Sequence, residues 1–370
     1  MTTTIRPGRD GDADALISLI SACWAMYPGI RMDVDGEMPE LRALATYYAK
    51  SGGALWVAED GGAILGMAAA RPRDASAQDS AGRDAEQSGG WELCRVYVHP
   101  SRHGSGLGHA LVDAAEAHAI AAGAARLMLW SDTRFDRAHR FYEKRSYVRA
   151  GPIRVLQDIS HSLEFAYAKP VNGVEVLDAA GAASAERRLA DILVACVDGG
   201  EGLSFLPPLA PPVARAYWKR VAGQAAGGER RLLCGWSEGV LAGAVTLDLG
   251  MPQDQQHRAD VKKLMVHPDA RRRGLGRALM QRAEQEAVRA GRALLTLNAR
   301  AEAAAEQLYR AMGWQEGGRI PGCTLSADGT PFDTVIFWKK ISSAQKSTSP
   351  AQAGEVKTRS VAGEGDRVGT

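Results

Sequence analysis

The sequence predicts an α/β (α+β) protein of two tandem units, each a mixed, mostly antiparallel sheet flanked by helices. Three observations carry that expectation. The first is a repeat. Val96 to Ala110 reads VYVHPSRHGSGLGHA and Leu264 to Ala278 reads LMVHPDARRRGLGRA. Each copy is an apolar strand, His-Pro, a polar turn, Gly-x-Gly and an amphipathic helix. The copies lie 168 residues apart at His99 and His267, at Gly106 and Gly274, and at Glu92 and Asp260. Tyr142 in FYEKRSY and Tyr309 in LYRAMGW follow at an offset of 167. One supersecondary plan has been used twice. The second observation is length, since 370 residues suit two domains. The third is patterning, with hairpin-like β segments alternating with segments of helical period.

In chain order, Thr3 to Arg6 is a strand, and Asp12 or Asp14 caps a helix through Ala22, where Leu16, Leu19 and Ile20 share a face. Glu40 to Lys50 is a second helix. Ala54 to Glu59 and Ile64 to Ala70 form a hairpin around Asp60-Gly61-Gly62. Arg71 to Gly90 is polar and aperiodic, a flexible insertion. Trp91 to Val98 is the motif strand and Gly106 to Ala122 its helix. Arg126 to Ser131, Asp136 to Lys144 and the stretch from Tyr147 to Ala168 complete the first unit as strand, helix and strands. Pro170 and Asn172-Gly173 mark the junction.

The second unit repeats that order. Gly173 to Leu177 is a strand, and Ala185 to Cys196 and Ala214 to Ala222 are helices. Arg231 to Trp236 and Val240 to Leu249 form the hairpin. Ala259 to Val266 is the motif strand and Leu275 to Ala290 its helix. Ala293 to Asn298, Glu302 to Met312 and Thr334 to Trp338 are strand, helix and strand. The expected division is 1–170, 171–342 and a disordered tail, 343–370, too poor in apolar residues to order itself.

Composition narrows the function. With 45 Lys+Arg against 43 Asp+Glu, the formal charge of +2 gives no basis for nucleic-acid binding. The five cysteines are scattered without CxxC spacing, and the eight histidines show no metal spacing, so neither a disulfide framework nor a metal site is expected. The N-terminal stretch has no basic-then-apolar signal pattern, and no apolar run is long enough to span a bilayer. The expectation is a cytoplasmic protein without membrane contact, monomeric or homodimeric. The turn offers backbone N–H groups at a helix N-terminus, where phosphate is favoured.

Strand, strand, strand, motif strand, Arg-rich turn, helix, strand and helix with Tyr resembles the plan of the GNAT acetyltransferase superfamily, twice over. That family's turn, Arg/Gln-x-x-Gly-x-Gly/Ala, is matched in full by Arg271 to Gly276; in the first copy His103 stands at the leading position. The second unit further resembles the tabtoxin resistance protein type of acetyltransferase through VKKLMVHPDARRRGLGRALM, VDGGEGLSFLPPL and IPGC…DG…FDTVIFWKK. Both units lack the Asn that many members carry seven residues before the Tyr; Glu302 and Phe135 stand there. Asn298 replaces the acidic residue that ends the following strand in the tabtoxin type.

The resemblance implies acetyl-CoA as co-substrate and acetyl transfer to a primary amine of a small molecule. It assigns the cofactor to the turns, at Arg271, Arg272, Arg273, Gly274, Leu275 and Gly276 and at His103, Gly104, Ser105, Gly106 and Gly108. It also assigns the motif strands, at Leu264, Met265 and Val266 and at Val96, Tyr97 and Val98, whose backbone N–H polarises the carbonyl. Tyr309 and Tyr142 are the expected leaving-group acids, and Asp260 and Glu92 the bases. The rival expectation is an acyl-CoA-binding sensor or structural module with one or both units silent. A dinucleotide-dependent oxidoreductase fits poorly, because the turn lacks GxGxxG.

Overall fold

The computed structural model describes residues 3–73 and 90–341. Of the expected flexible insertion, Arg71 to Gly90, residues 74–89 lie outside that range, while Arg71 and Pro72 end one strand and Gly90 begins the next. The expected disordered tail, 343–370, also lies outside the described residues.

In the first unit, β1 (Thr4–Pro7) is followed by α1 (Ala13–Trp24) and α2 (Leu44–Lys50), then β2 (Ala54–Asp60), β3 (Ala63–Pro72) and β4 (Gly90–Val98). After these come α3 (Leu107–Ala121), β5 (Arg126–Asp132), α4 (Asp136–Lys144), β6 (Val148–Arg149), β7 (Arg154–Val155) and β8 (Leu163–Pro170). The sheet order is β1-β2-β3-β4-β5-β8-β6, with β7 also on β8. The β2–β3 turn needs two left-handed residues, and Gly61 (φ 60°) and Gly62 (φ 85°) supply them. Asp12 does precede α1, but its carboxylate accepts from Arg9 N–H and ion-pairs with Arg6 instead of capping the helix from within.

The second unit runs β9 (Gly173–Leu177), α5 (Ala179–Ser184), α6 (Glu186–Asp198), α7 (Pro211–Ala226), β10 (Arg230–Ser237), β11 (Val240–Asp248) and β12 (Arg258–Val266). It continues with α8 (Leu275–Arg289), β13 (Leu294–Arg300), α9 (Ala304–Ala311), β14 (Gln315–Leu325) and β15 (Pro331–Lys340). Its sheet order is β9-β10-β11-β12-β13-β15-β14. Two elements were not expected: α5, a short Ala/Gly segment, and β14, whose Gly317-Gly318 and Pro321-Gly322 read as loop. β14 forms because β15 supplies its partner, with register breaks between Glu316 and Gly318 and between Ile320 and Thr324.

Among the described residues each sheet has one parallel pair, β4–β5 or β12–β13, and every other pairing is antiparallel. The motif helices α3 and α8 lie on the sheet next to that pair, and glycines let them approach. A Cβ on Gly66 would stand 2.7 Å from Leu111 Cδ1 of α3, and one on Gly243 3.1 Å from Leu279 Cδ1 of α8. Both glycines sit opposite the last motif-strand residue, in the pairs Gly66–Val98 and Gly243–Val266.

The same polar clasp holds the far end of each sheet. In the first unit Tyr147 donates to Glu116 (2.9 Å), and Lys169, buried at 3% exposure, reaches both Glu116 and the Arg145 carbonyl at 3.0 Å. In the second, Trp314 Nε1 donates to Glu284 (3.1 Å), while Lys339 holds Glu284 and the Met312 carbonyl at 2.8 Å.

The two units are packed, not merely strung together. Val148 lies within the apolar cluster of α6, α7 and β10. Trp236 Nε1 donates to the Ser146 carbonyl (2.9 Å), Arg149 N–H to Ser184 Oγ (2.9 Å), and Arg126 ion-pairs with Glu175. Ser146 itself is buried with φ of 67°, where the second unit has Gly313 at φ 79°. A side chain in this conformation costs about 1–2 kcal/mol. Ser146→Gly keeps the carbonyl that Trp236 uses. It is expected to raise the unfolding free energy by up to about 1 kcal/mol after the entropy of glycine is counted; urea titration showing a loss would contradict this.

Candidate active site

Both candidate sites arise where the parallel pair ends. β5 pairs with β4 only over Gly90–Glu92, and β13 with β12 only over Arg258–Asp260. Immediately beyond, each motif strand carries a bulge. Across Ala68 stand Arg95 and Val96, and across Val245 stand Lys263 and Leu264, two residues against one. Arg95 (φ 51°) and Lys263 (φ 55°) take the left-handed conformation there. The sequence gives no warning of this, since neither position is glycine.

Past the bulge the strands diverge, and one side of each motif strand has no sheet partner. His267 N–H donates to Ala242 (2.7 Å) and His99 N–H to Leu65 (2.9 Å), both on the paired side. Peptide groups alternate sides along a strand, so the N–H groups of Val266 and Val98 face the gap. The gap in the second unit is a cavity of about 1230 Å³, and that in the first about 840 Å³.

The leading residue of each turn closes the top of this gap. Arg271 Nε donates to the Val266 carbonyl at 3.1 Å, and its guanidinium also pairs with Glu201 at 2.5 Å. His103 Nε2 stands 3.0 Å from the Val98 carbonyl, which requires the proton on Nε2. Cys196 and Cys23 donate to the same two carbonyls, at 3.4 and 3.3 Å. Arg271 and His103 thus replace the missing strand as donors, and His103 performs the task of the arginine with a different ring. Burial pushes the Cys23 thiol up to about 11 and Cys196 to about 12, so neither is a thiolate nucleophile.

Next in each turn come paired left-handed residues, Gly104 (φ 81°) and Gly106 (φ 85°) in one, Arg272 (φ 63°) and Gly274 (φ 84°) in the other. Such a turn makes a concave nest of N–H groups. Among the described residues, nothing accepts from the N–H groups of Arg272, Arg273, Gly274, Leu275 and Gly276. The first turn is partly self-satisfied: Ser105 N–H bonds to the Arg102 carbonyl (3.3 Å) and Leu107 N–H to Ser105 Oγ (3.4 Å). These nests suit a diphosphate, and the slot between the splayed strands suits an extended chain with amide groups of its own. The residues therefore fit acetyl-CoA.

Most of the expected site residues share a cavity. Asp260, Leu264, Met265, Val266, Arg271, Arg272, Gly274, Leu275, Gly276 and Tyr309 line the second; Glu92, Val96, Tyr97, Val98, His103, Gly104, Gly106, Gly108 and Tyr142 line the first. The equivalent residues Arg273 and Ser105 do not. Arg273 turns to Glu238 (2.9 Å) and Ser105 Oγ to the Arg102 carbonyl (2.7 Å).

Tyr309 is packed by Trp314 and Phe337, and Tyr142 by Phe141, Tyr147 and Tyr167. Burial raises both phenols above their usual range, so each stays protonated and able to donate. The carboxylates are not free. Asp260 is held by Arg258 (2.7 Å) and Thr296, with Lys262 at 3.8 Å; Glu92 is held by Arg71 (2.7 Å). Lys263, which sequence reasoning passed over, lines the second cavity with its ammonium on the Leu203 carbonyl, beside the rings of Phe205 and Tyr217. Burial first, then the neighbouring cations Arg230, Lys262 and Arg220, lower it to about 8.

The role of His103 has a pH signature. Burial, as the largest cause, lowers its pKa below the ordinary 6.5, and does the same for His139. The unfolded chain therefore binds protons more readily in this window, and the imidazole contribution is lost as pH falls below about 6.5. Glu143, Glu164 and Glu201, raised by burial, pull the other way. The difference between wild type and His103→Gln is thus the readout. Glutamine donates to the Val98 carbonyl without titrating, so the variant should gain stability relative to wild type from pH 7 to 5. Parallel stability curves would remove His103 from this role.

Comparison with known proteins agrees with this plan. Residues 15–147 match the family described as "Acetyltransferase (GNAT) family", and residues 231–316 match "Acetyltransferase (GNAT) domain". Among solved structures, similarity extends to yncA from Salmonella typhimurium with its cofactor acetyl-CoA (17% identity, 49% of this chain and 98% of that one, TM-score 0.39). It extends also to a ribosomal-protein-alanine N-acetyltransferase from Brucella melitensis (20% identity, 45% and 99%, TM-score 0.39). A third is an N-acetyltransferase from Staphylococcus aureus Mu50 (18% identity, 46% and 99%, TM-score 0.37). The two family matches together cover more than half of the sequence, and the chain belongs, as two tandem domains, to the GNAT acetyltransferases, the family whose co-substrate is acetyl-CoA.

Proposed function

We propose that the chain acetylates a primary amine of a small molecule, that it divides into domains 1–170 and 171–342, and that the second domain does most of the work. The observation that supports this reading is the shape of the second cavity. Its lining includes the chain's own segments Gly200 to Ser204 and Arg300 to Ala303 with Phe332, joined where the Arg300 guanidinium donates to the Gly200 carbonyl (3.2 Å). A cavity rimmed by two such joined segments suits a compact acceptor better than a broad protein surface. No helix among the described residues is long and apolar enough to cross a membrane.

Bound acetyl-CoA supplies the thioester that the amine attacks. The unpaired N–H groups from Arg272 to Gly276 hold the diphosphate, and the gap-facing N–H of Val266 polarises the acetyl carbonyl. Tyr309 gives its phenolic proton to the departing sulfur, and the proton that the amine sheds on acylation returns to the phenolate through water. Asp260, loaded with Arg258 and Thr296, positions the amine or a bridging water more readily than it acts as a free base. In the first domain Tyr142, Val98 and Glu92 hold the same places. A sensor with silent chemistry is the second reading; the Ser105 hydroxyl occupying part of the first turn favours it for that domain alone.

The test uses labelled acetyl-CoA with a panel of small amines and of peptides. Transfer to peptides only would overturn the small-molecule reading. With an acceptor in hand, Tyr309→Phe should lower turnover about 10²–10⁴-fold while CoA affinity stays nearly intact. Tyr142→Phe should cost far less on the same acceptor. The reverse pattern would give the chemistry to the first domain.

A further inference from the structure

The two turns differ in charge, and the difference is made up elsewhere. In the second domain Arg272 and Arg277 line the cavity with no carboxylate partner among the described residues. Their equivalents in the first domain, 168 residues earlier, are Gly104 and His109. Arg102, the arginine within that turn, is spent on Asp60. The first turn thus offers a phosphate no side-chain cation.

Helix α4 reverses the comparison. Arg137, Arg140 and Lys144 fall at i, i+3 and i+7, which places them on one face. All three are exposed, line the first cavity and have no carboxylate partner among the described residues. The equivalents on α9, offset by 167, are Ala304, Gln307 and Ala311. A fourth cation lines the same cavity from the other domain. Arg187 stands in the first turn of α6, exposed, just after α5, which packs beside β6. Glu143 is the carboxylate that faces it. Burial raises the Glu143 pKa, while Arg187, Arg149 and Arg140 oppose that rise. The cationic face therefore exceeds its local counter-charge.

We propose that Arg187, a residue of the second domain, completes the phosphate-binding edge of the first domain's acetyl-CoA site, together with Arg140 and Lys144. This rests on the reading that the first domain binds acetyl-CoA. The nest at residues 103–108 takes the diphosphate through backbone N–H groups, and the α4 face with Arg187 supplies the formal charge the turn lacks. The second domain is then part of the first domain's ligand site, and the fixed packing of Trp236 on Ser146 and of Ser184 on Arg149 holds Arg187 in place.

Calorimetry on the full chain tests it, with CoA and 3′-dephospho-CoA as probes, in wild type and in a Gly274→Glu background that silences the second site. Arg187→Glu should weaken CoA binding at the first site about tenfold or more, as loss of a charge-assisted contact requires. Arg187→Lys should restore most of it. The second site should not change, nor the melting temperature, since Arg187 is exposed. If the loss vanishes with 3′-dephospho-CoA, the contact is to the 3′-phosphate; if it persists, to the diphosphate. Two intact sites with first-site affinity unchanged by Arg187→Glu would overturn the Arg187 assignment alone. A wild-type chain binding one CoA, lost in Gly274→Glu, would overturn both this and the reading of the first domain as a binder.

Discussion

A β-strand that parts from its neighbour leaves peptide groups without partners, and both sites of this protein are built from that deficit. The parallel pair lasts three residues in each domain, and the bulge at Arg95 or Lys263 then turns the motif strand away. If the pair continued, the Val98 and Val266 N–H groups would be spent in the sheet and no slot would exist. Because it stops, one group per strand faces an opening, and unmade hydrogen bonds of this kind are expensive to leave buried. The turn resolves half of the problem by placing Arg271 or His103 on the adjacent carbonyl. The other half is left open, for the carbonyl that the proposed acetyl-CoA would bring.

That account explains what the leading turn position needs. It needs a side-chain N–H that reaches back five residues to a carbonyl, and not a positive charge aimed at phosphate. Arginine and a neutral imidazole satisfy it equally. Arg271 has the further partner Glu201, which ties the loop after α6 to the turn and helps wall the second cavity. His103 has no counterpart to that tie, and the first cavity is bordered instead by the α1–α2 region and by β7.

Much of the fold was legible because the repeat fixed its order. A strand, a His-Pro, a glycine turn and a helix at a constant offset specify one plan twice, and the hairpins announce themselves through Asp60-Gly61-Gly62 and Glu238-Gly239. What stayed hidden depends on partners remote in sequence. β14 is glycine-rich and forms only against β15. The bulge sits at Arg95 and Lys263, residues that carry no turn signal. The clasp of Glu116 with Lys169 and of Glu284 with Lys339 joins positions more than 50 residues apart. At the site, the residue types were readable but their allegiances were not. Arg273 reads as a cofactor ligand and pairs with Glu238; Asp260 reads as a base and is already loaded with Arg258.

The duplicated domains have kept the backbone of the site and redistributed its charge. At the bulge, Arg95 is neutralised by Glu40 (2.5 Å), whereas among the described residues Lys263 meets a carbonyl and two aromatic rings, with further cations beyond. Beside the first cavity, Asp132 and Glu164 each carry an arginine; at the place of Asp132 the second domain has Arg300, which rests on the Phe332 ring and the Gly200 carbonyl. An acceptor that must cross an unneutralised lysine and an arginine experiences a different field from one that meets paired carboxylates. Desolvation amplifies that difference, because charges in a walled cavity are screened far less than on a surface. Two domains of one plan, with the same slot, buried tyrosine and gap-facing N–H, therefore need not share an acceptor. The retained pieces are backbone groups and the buried tyrosine, while the side-chain charges diverged both around the turn and toward the other end of each cavity.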